Sequence, residues 1–212
     1  MRKLPVYVLL DTSGSMMGEP IEAVKNGVQL MVSSLRQNPQ AIETAYLSII
    51  TFSSTAQQVV PLTDLSSFQI PDIQAGGTTA MGGALELVSR CIDNEVASTT
   101  IDSKGDWKPL IFIMTDGIPT DDIQRGLSEL GRRHTAIVVA CAAGSGADTS
   151  LLKQITENVV SLDTADSHSI SQFFAWVTAS IGVTSAKVED SGKEAGGLNE
   201  LPPPPDELNI VL

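Results

Sequence analysis

Apolar and polar positions alternate along this chain in two rhythms, one of strands and one of helices. Val6-Tyr7-Val8-Leu9-Leu10 is almost wholly apolar, the pattern of a short strand covered on both faces in a parallel sheet. After a Ser/Gly turn, Ile21, Val24, Val28, Met31, Val32 and Leu35 recur at helical spacing. They predict an amphipathic helix over residues 20–36, with Pro20 suited to its first turn. Residues 45–52 and 56–62 read as two strands. Too few polar residues separate them for a crossover helix, so they pair as an antiparallel hairpin. Gly76-Gly77-Thr78-Thr79 then opens a helix through Leu85, Val88 and Ile92. Strands over 109–114, 135–141 and 159–162 alternate with helices over 121–133, 149–157 and 169–181. Phe173, Phe174 and Trp176 in the last helix read as core. This order predicts a doubly wound, Rossmann-like α/β domain: a mostly parallel six-stranded sheet, one antiparallel edge strand, and helices on both faces.

From Thr184 onward neither rhythm persists. Residues 185–212 carry six acids and two bases and include Pro202-Pro203-Pro204-Pro205, an extended polyproline segment. The division is therefore a domain over 1–184 and an acidic, proline-rich tail over 185–212. The tail reads either as a disordered tether or as an arm whose apolar end, Leu208-Asn209-Ile210-Val211-Leu212, docks on a sheet edge or groove, its own or a partner's.

Charge narrows the partners. With 25 acids against 13 bases the formal net charge is −12. That argues against nucleic acid, whose phosphates call for clustered Lys and Arg, and favours cations or a basic partner face. The apolar run at the N-terminus is too short for a signal sequence, and no stretch reaches the roughly 18 apolar residues of a membrane span. Cys91 and Cys141 sit far apart in apolar periodic segments and read as buried free thiols. The expectation is a cytoplasmic monomer.

In an open α/β sheet, ligands bind beyond the carboxyl ends of the strands, where strand order reverses. The first strand is followed there by Asp11-Thr12-Ser13-Gly14-Ser15, and the strand over 109–114 by Thr115-Asp116-Gly117. If these strands flank the reversal, Asp11 and Asp116 reach one crevice, and the loop at Thr78-Thr79 can add a hydroxyl. Each piece alone is an ordinary turn or cap; the conjunction at one edge carries the inference. Within the tight turn, Asp11, Ser13 and Ser15 can face one point while Gly14 supplies backbone freedom. An oxygen-only set of two carboxylates, two serines and a threonine suits a hard cation such as Mg²⁺, with Mn²⁺ or Ca²⁺ as alternatives. Because Mg²⁺ keeps waters, such a set leaves an exchangeable position for an external carboxylate.

Asp11-Thr12-Ser13-Gly14-Ser15-Met16, the loop threonine and Thr115-Asp116-Gly117 together resemble the metal-ion-dependent adhesion site of von Willebrand factor type A domains. The resemblance spans about residues 4–182. It implies the same doubly wound fold, a non-enzymatic protein-binding role, and the metal ligands Asp11, Ser13, Ser15, Thr79 and Asp116. In that family the threonine usually lies six residues before a helix leucine, which selects Thr79 before Leu85, with Thr78 the alternative. The implied partner is a protein offering an Asp or Glu carboxylate, flanked by Met16, Met17, Glu19, Pro119 and Thr120. The start at residue 4, Gly18-Glu19-Pro20, residues 75–85 and residues 202–212 further resemble bacterial tellurite-resistance members of the family, implying a place among stress-resistance proteins.

Two other classes compete. A haloacid-dehalogenase-type phosphohydrolase also places an Asp after its first strand and uses Mg²⁺, with Asp11 as nucleophile and Asp116, Asp121 or Asp122 as metal carboxylates. Its general acid would fall at Ser13, whose hydroxyl cannot protonate a leaving group at neutral pH. The other is a metal-independent scaffold acting through the tail. Nucleotide-binding glycine motifs and the serine-hydrolase elbow are absent. His134 reads as a helix-end residue and His168 as part of a capping segment.

Overall fold

The computed structural model describes residues 2–133, 135, 137–193 and 197–211, so that His134, Glu194 and Leu212 lie outside the described residues. The strands are β1 (Leu4–Asp11), β2 (Ala45–Phe52), β3 (Ala56–Asp64), β4 (Leu110–Thr115), β5 (Ile137–Ala143), β6 (Asn158–Leu162) and β7 (Asn209–Ile210). The helices are α1 (Glu19–Arg36), α2 (Pro39–Thr44), α3 (Met81–Glu95), α4 (Gln124–Gly131), α5 (Thr149–Ile155) and α6 (Ser167–Ser191). All seven strands join one sheet in the order β3-β2-β1-β4-β5-β6-β7. β1 pairs parallel with both β2 and β4, β5 and β6 continue in parallel, and β3 and β7 are antiparallel edges. The doubly wound architecture is as expected, with a seventh strand contributed by the tail.

Side-chain alternation divides the core in two. Leu4, Val6, Val8 and Leu10 of β1 and Leu110, Phe112 and Met114 of β4 face α1, α2 and α6. Tyr7 and Leu9, with Ile111 and Ile113, face α3, α4 and α5 on the other side. Each fully buried Leu, Ile or Val contributes about 1.5–3 kcal/mol, and a one-residue slip of β1 would exchange its two faces. Cys141 and Cys91 belong to opposite faces and are free thiols, kept apart by the sheet.

Two departures from the sequence reading have physical causes. α2 has only six residues, too few to show a period; Pro39 and the Asn38 side chain, which accepts from Ala41 N, start it. α6 continues past residue 181 to Ser191 and buries Thr184, Ser185 and Val188. The extension hides from a hydrophobic pattern because its inward positions are small hydroxyl residues, and Thr184 and Ser180 bond back to the Ser180 and Trp176 carbonyls. It ends at Gly192, whose φ of +62° is the left-handed conformation glycine adopts cheaply.

The tail takes the docked path, one of the two readings its sequence allowed. Trp176, packed edge-on against Phe112, donates its indole N–H to the Pro202 carbonyl at 2.9 Å. Leu201 and Leu208 are buried, and Asn209–Ile210 pairs with Ser161 and Val160 of β6. The apolar end thus covers the sheet edge of its own chain. Among the described residues, no helix is long and apolar enough to cross a membrane.

Candidate metal centre

Strand order reverses between β1 and β4, whose register aligns Leu10 with Met114. Their next residues open the loops that meet at the carboxyl edge. Asp11, fully buried, accepts from Ser13 N at 2.8 Å through Oδ1 and from the Thr115 hydroxyl at 2.6 Å through Oδ2. The Ser13 and Ser15 hydroxyls lie 3.0 Å apart, and Ser15 Oγ donates to Asp116 Oδ1 at 2.7 Å. Since a hydroxyl has one proton to give, Ser13 is the donor to Ser15.

The third loop is stapled to the first by two backbone bonds, Gly14 N to Gly77 O at 3.0 Å and Gly76 N to Thr12 O at 2.8 Å. Gly77 has φ +83°, and a side chain there would strike Ser54 Oγ at 2.4 Å. Gly14 does not have a positive φ, contrary to the freedom expected of it. A Cβ there would meet the Gly77 carbonyl oxygen at 3.4 Å, an ordinary contact distance. Beyond this staple Thr79 turns inward and is buried, while Thr78 is exposed. A Cβ at Gly117 would lie 3.5 Å from Thr79 Oγ1 and 3.9 Å from Ser15 Oγ. The hydroxyls of Thr79 and Ser15 therefore converge where the Asp116 loop passes.

The electrostatics leave a deficit. Burial pushes the Asp11 carboxyl above its ordinary range, hydrogen bonds from Thr115 and Ser13 oppose the rise, and the Asp116 charge adds to it. Among the described residues no Lys, Arg or His forms an ion pair with Asp11 or Asp116. A buried carboxylate beside convergent hydroxyls, with no basic partner, fits an oxygen-seeking divalent cation. No group of three or more His, Cys, Asp or Glu forms among the described residues. That does not count against the fit, because three of the five donors here are hydroxyls.

The surroundings differ in part from expectation. Met16 is fully buried, carried into the core by the 3-10 turn Gly14–Met16, and does not flank the crevice. Met17, two residues after Ser15, is exposed, and so is Ile118, two residues after Asp116, which the sequence reading missed. Ile118 is apolar in a loop, a signal too common to single out. Glu19 is spent on the Ser167 backbone N–H at 3.0 Å. Asp121 and Asp122 turn away to cap helices, Asp121 accepting from Gly82 N and Gly83 N and Asp122 from Gln124 N. α4 consequently begins at Gln124 rather than near residue 121. His168 pairs with Glu207 of the tail at 3.1 Å.

A cavity of about 490 Å³ lies at the amino edge instead, lined by Arg2, Val96, Trp107 and Arg133 among others. Its arginines are already engaged: Arg133 by Asp93 and Glu129, Arg132 by Glu129, and Arg2 by the Gly105 and Asp106 carbonyls and the Trp107 ring.

The fold and the arrangement of the three loops define a class of open-sheet domain whose loops meet at the switch point. The chain belongs to the von Willebrand factor type A domain family, whose model matches residues 6–175. Solved structures share the fold. A von Willebrand factor type A protein from Catenulispora acidiphila aligns at 18% identity and TM-score 0.66, over 86% of this chain and 43% of that one. Proximal thread matrix protein 1 from the mussel byssus, in a structure with a zinc-occupied MIDAS motif, gives 21%, 0.59, 84% and 45%. The ArnB paralog VWA2 from Sulfolobus acidocaldarius gives 18%, 0.62, 85% and 45%. The chain thus spans less than half the length of these three. No curated protein sequence matches it significantly.

Proposed function

We propose that the chain is a divalent-metal-dependent protein-binding module without catalytic activity, and that Asp11, Ser13, Ser15, Thr79 and Asp116 hold the ion. A bound cation, Mg²⁺ by the hardness of the donors, would offer an exchangeable coordination position to an Asp or Glu carboxylate of a protein partner. Asp11 and Asp116 balance its charge; the hydroxyls of Ser13, Ser15 and Thr79 supply neutral oxygens. Met17 and Ile118, exposed in the segments just after Ser15 and Asp116, would meet a partner's side chains.

The observation that carries this reading is the buried Asp11 carboxylate beside convergent hydroxyls, with no basic side chain among the described residues to pair it. The zinc-occupied MIDAS motif of a protein with the same fold supports it. Burial of Asp11, with both oxygens already accepting hydrogen bonds, weighs against the phosphohydrolase alternative, whose nucleophile must reach a phosphorus atom. Placement in a bacterial tellurite- or stress-resistance system rests on the resemblance of residues 18–20, 75–85 and 202–212 alone.

The test is capture from extracts of the source cell with Mg²⁺, with EDTA, and with a Ser13→Ala chain. Proteins retained in Mg²⁺ and lost in both other arms support the proposal. The same proteins retained in chelator would sink it.

A further inference from the structure

Of the five proposed ligands, Thr79 alone is carried by neither of the loops that follow β1 and β4, so its hydroxyl needs a separate device to set its position. The obvious place for such a device is the start of α3, two residues further on. Ala80 occupies the N-cap of that helix and offers no side-chain acceptor, so the first backbone N–H groups of α3 would be orphaned. Asp121 supplies the cap from a distant part of the chain. Its Oδ1 accepts from Gly82 N at 2.9 Å and its Oδ2 from Gly83 N at 2.8 Å. Both oxygens are committed to the positive end of the helix. Gly82 makes the approach feasible, because a Cβ there would lie 2.2 Å from the Asp122 carbonyl oxygen. The neighbouring Thr120 clasps Thr79 itself: Thr79 N donates to Thr120 Oγ1 at 3.1 Å, and Thr120 N donates to Thr79 O at 2.9 Å.

Asp116, Thr120 and Asp121 therefore belong to one short loop that contributes a carboxylate to the centre at one end and grips Thr79 and α3 at the other. We infer that Asp121 is a positioning residue of the metal centre: without touching the ion, it fixes the start of α3 and so holds the Thr79 hydroxyl in register with Ser15 and Asp116. The inference rests on the reading of Thr79 as a ligand. Outer residues that orient metal ligands typically contribute 10- to 100-fold in affinity when removed. Asp121→Asn retains shape and one acceptor but loses the charge and the second bond.

The experiment uses the full chain and Mg²⁺ alone, titrated calorimetrically into the wild type, Asp121→Asn, Thr79→Ala and the double variant. The expected result is roughly 10- to 100-fold weaker binding in Asp121→Asn and no further loss when it is added to Thr79→Ala. In the metal-free protein, hydrogen exchange at the Gly82 and Gly83 amides should quicken in Asp121→Asn, with the far-ultraviolet spectrum unchanged. If Asp121→Asn does not fold, Thr120→Val, which removes the acceptor for Thr79 N, takes its place under the same criteria. Wild-type affinity in the single variant, or independent losses that multiply in the double variant, would overturn the inference while leaving the metal centre standing. No Mg²⁺ binding by the wild type would overturn the metal reading itself, and this inference with it.

Discussion

Ser15 Oγ donates its proton to Asp116 Oδ1 at 2.7 Å, joining residues 101 apart in sequence across the point where the sheet reverses. With Thr115 donating to Asp11 at 2.6 Å, it means that the loops after β1 and β4 are cross-linked through their own polar groups. An ion arriving there meets a prearranged cradle, so little ordering entropy is left to offset its binding. The same arrangement concentrates negative charge at a crevice whose inner carboxylate, Asp11, is fully buried.

Asp11→Asn should separate stability from metal binding. Burial raises the Asp11 pKa in the folded chain. A raised folded value means that the stabilising contribution of this group is present below its unfolded pKa and lost as pH rises through the folded one. At neutral pH the ionised group is therefore a net cost, and in EDTA the variant should melt no lower than the wild type. In Mg²⁺ at 100 times its Kd, the wild type should gain about 2.7 kcal/mol and the variant almost nothing. Thermal melts of both proteins, with and without Mg²⁺, check this.

Gly77→Ala should damage the centre from outside it. The substitution forces a side chain into φ +83° and within 2.4 Å of Ser54 Oγ. A cost of about 1–3 kcal/mol is expected, measured by urea unfolding. Ser54→Gly should recover part of it by removing the clash but not the backbone strain.

Much of this was legible in the sequence, for identifiable reasons. β2 falls on the residues its apolar run marks, and Asp11 and Asp116 follow from strand ends that a doubly wound sheet must bring together. Met16 was misjudged because a 3-10 turn, which has no sequence period, rotates it into the core. In the sequence Thr79 was preferred to Thr78 only by the family spacing to Leu85, because the bonds of Thr120 and the staple at Gly77 that turn it inward are long-range. The continuation of α6 was masked because its buried face is Thr184 and Ser185 with Val188 as its one apolar residue. The docking of the tail depends on Trp176 finding a carbonyl 26 residues away, which no local pattern records.

Trp176→Phe should loosen the tail selectively. The ring contacts with Phe112 and Phe173 can persist, but the bond to the Pro202 carbonyl is lost, at about 1 kcal/mol. Leu208→Ala, at a site only 4% exposed, should cost about 2–5 kcal/mol. Limited proteolysis should cut both variants within the tail sooner than the wild type, and a wild-type cleavage rate in both would contradict the docked path.

Acid should release the start of α6. The Ser169 backbone N–H and the Thr164 hydroxyl hold the Asp166 carboxyl below its ordinary range, and the Ser167 N–H does the same for Glu19. Depressed folded values mean that their stabilisation is complete above the unfolded values of about 4 and is lost as pH falls through the lower folded ones. Urea midpoints measured from pH 6 downward should decline below about pH 4, and less steeply in an Asp166→Asn, Glu19→Gln double variant.

The central claim is a single divalent-cation site at the switch point, and the most direct measurement is an electron paramagnetic resonance titration of the full chain with Mn²⁺, competed by Mg²⁺. One saturable ion per chain, displaced by Mg²⁺ and lost in Asp116→Ala with the fold intact, is the predicted result. Absence of saturable binding, or equal affinity in Asp116→Ala, would contradict it.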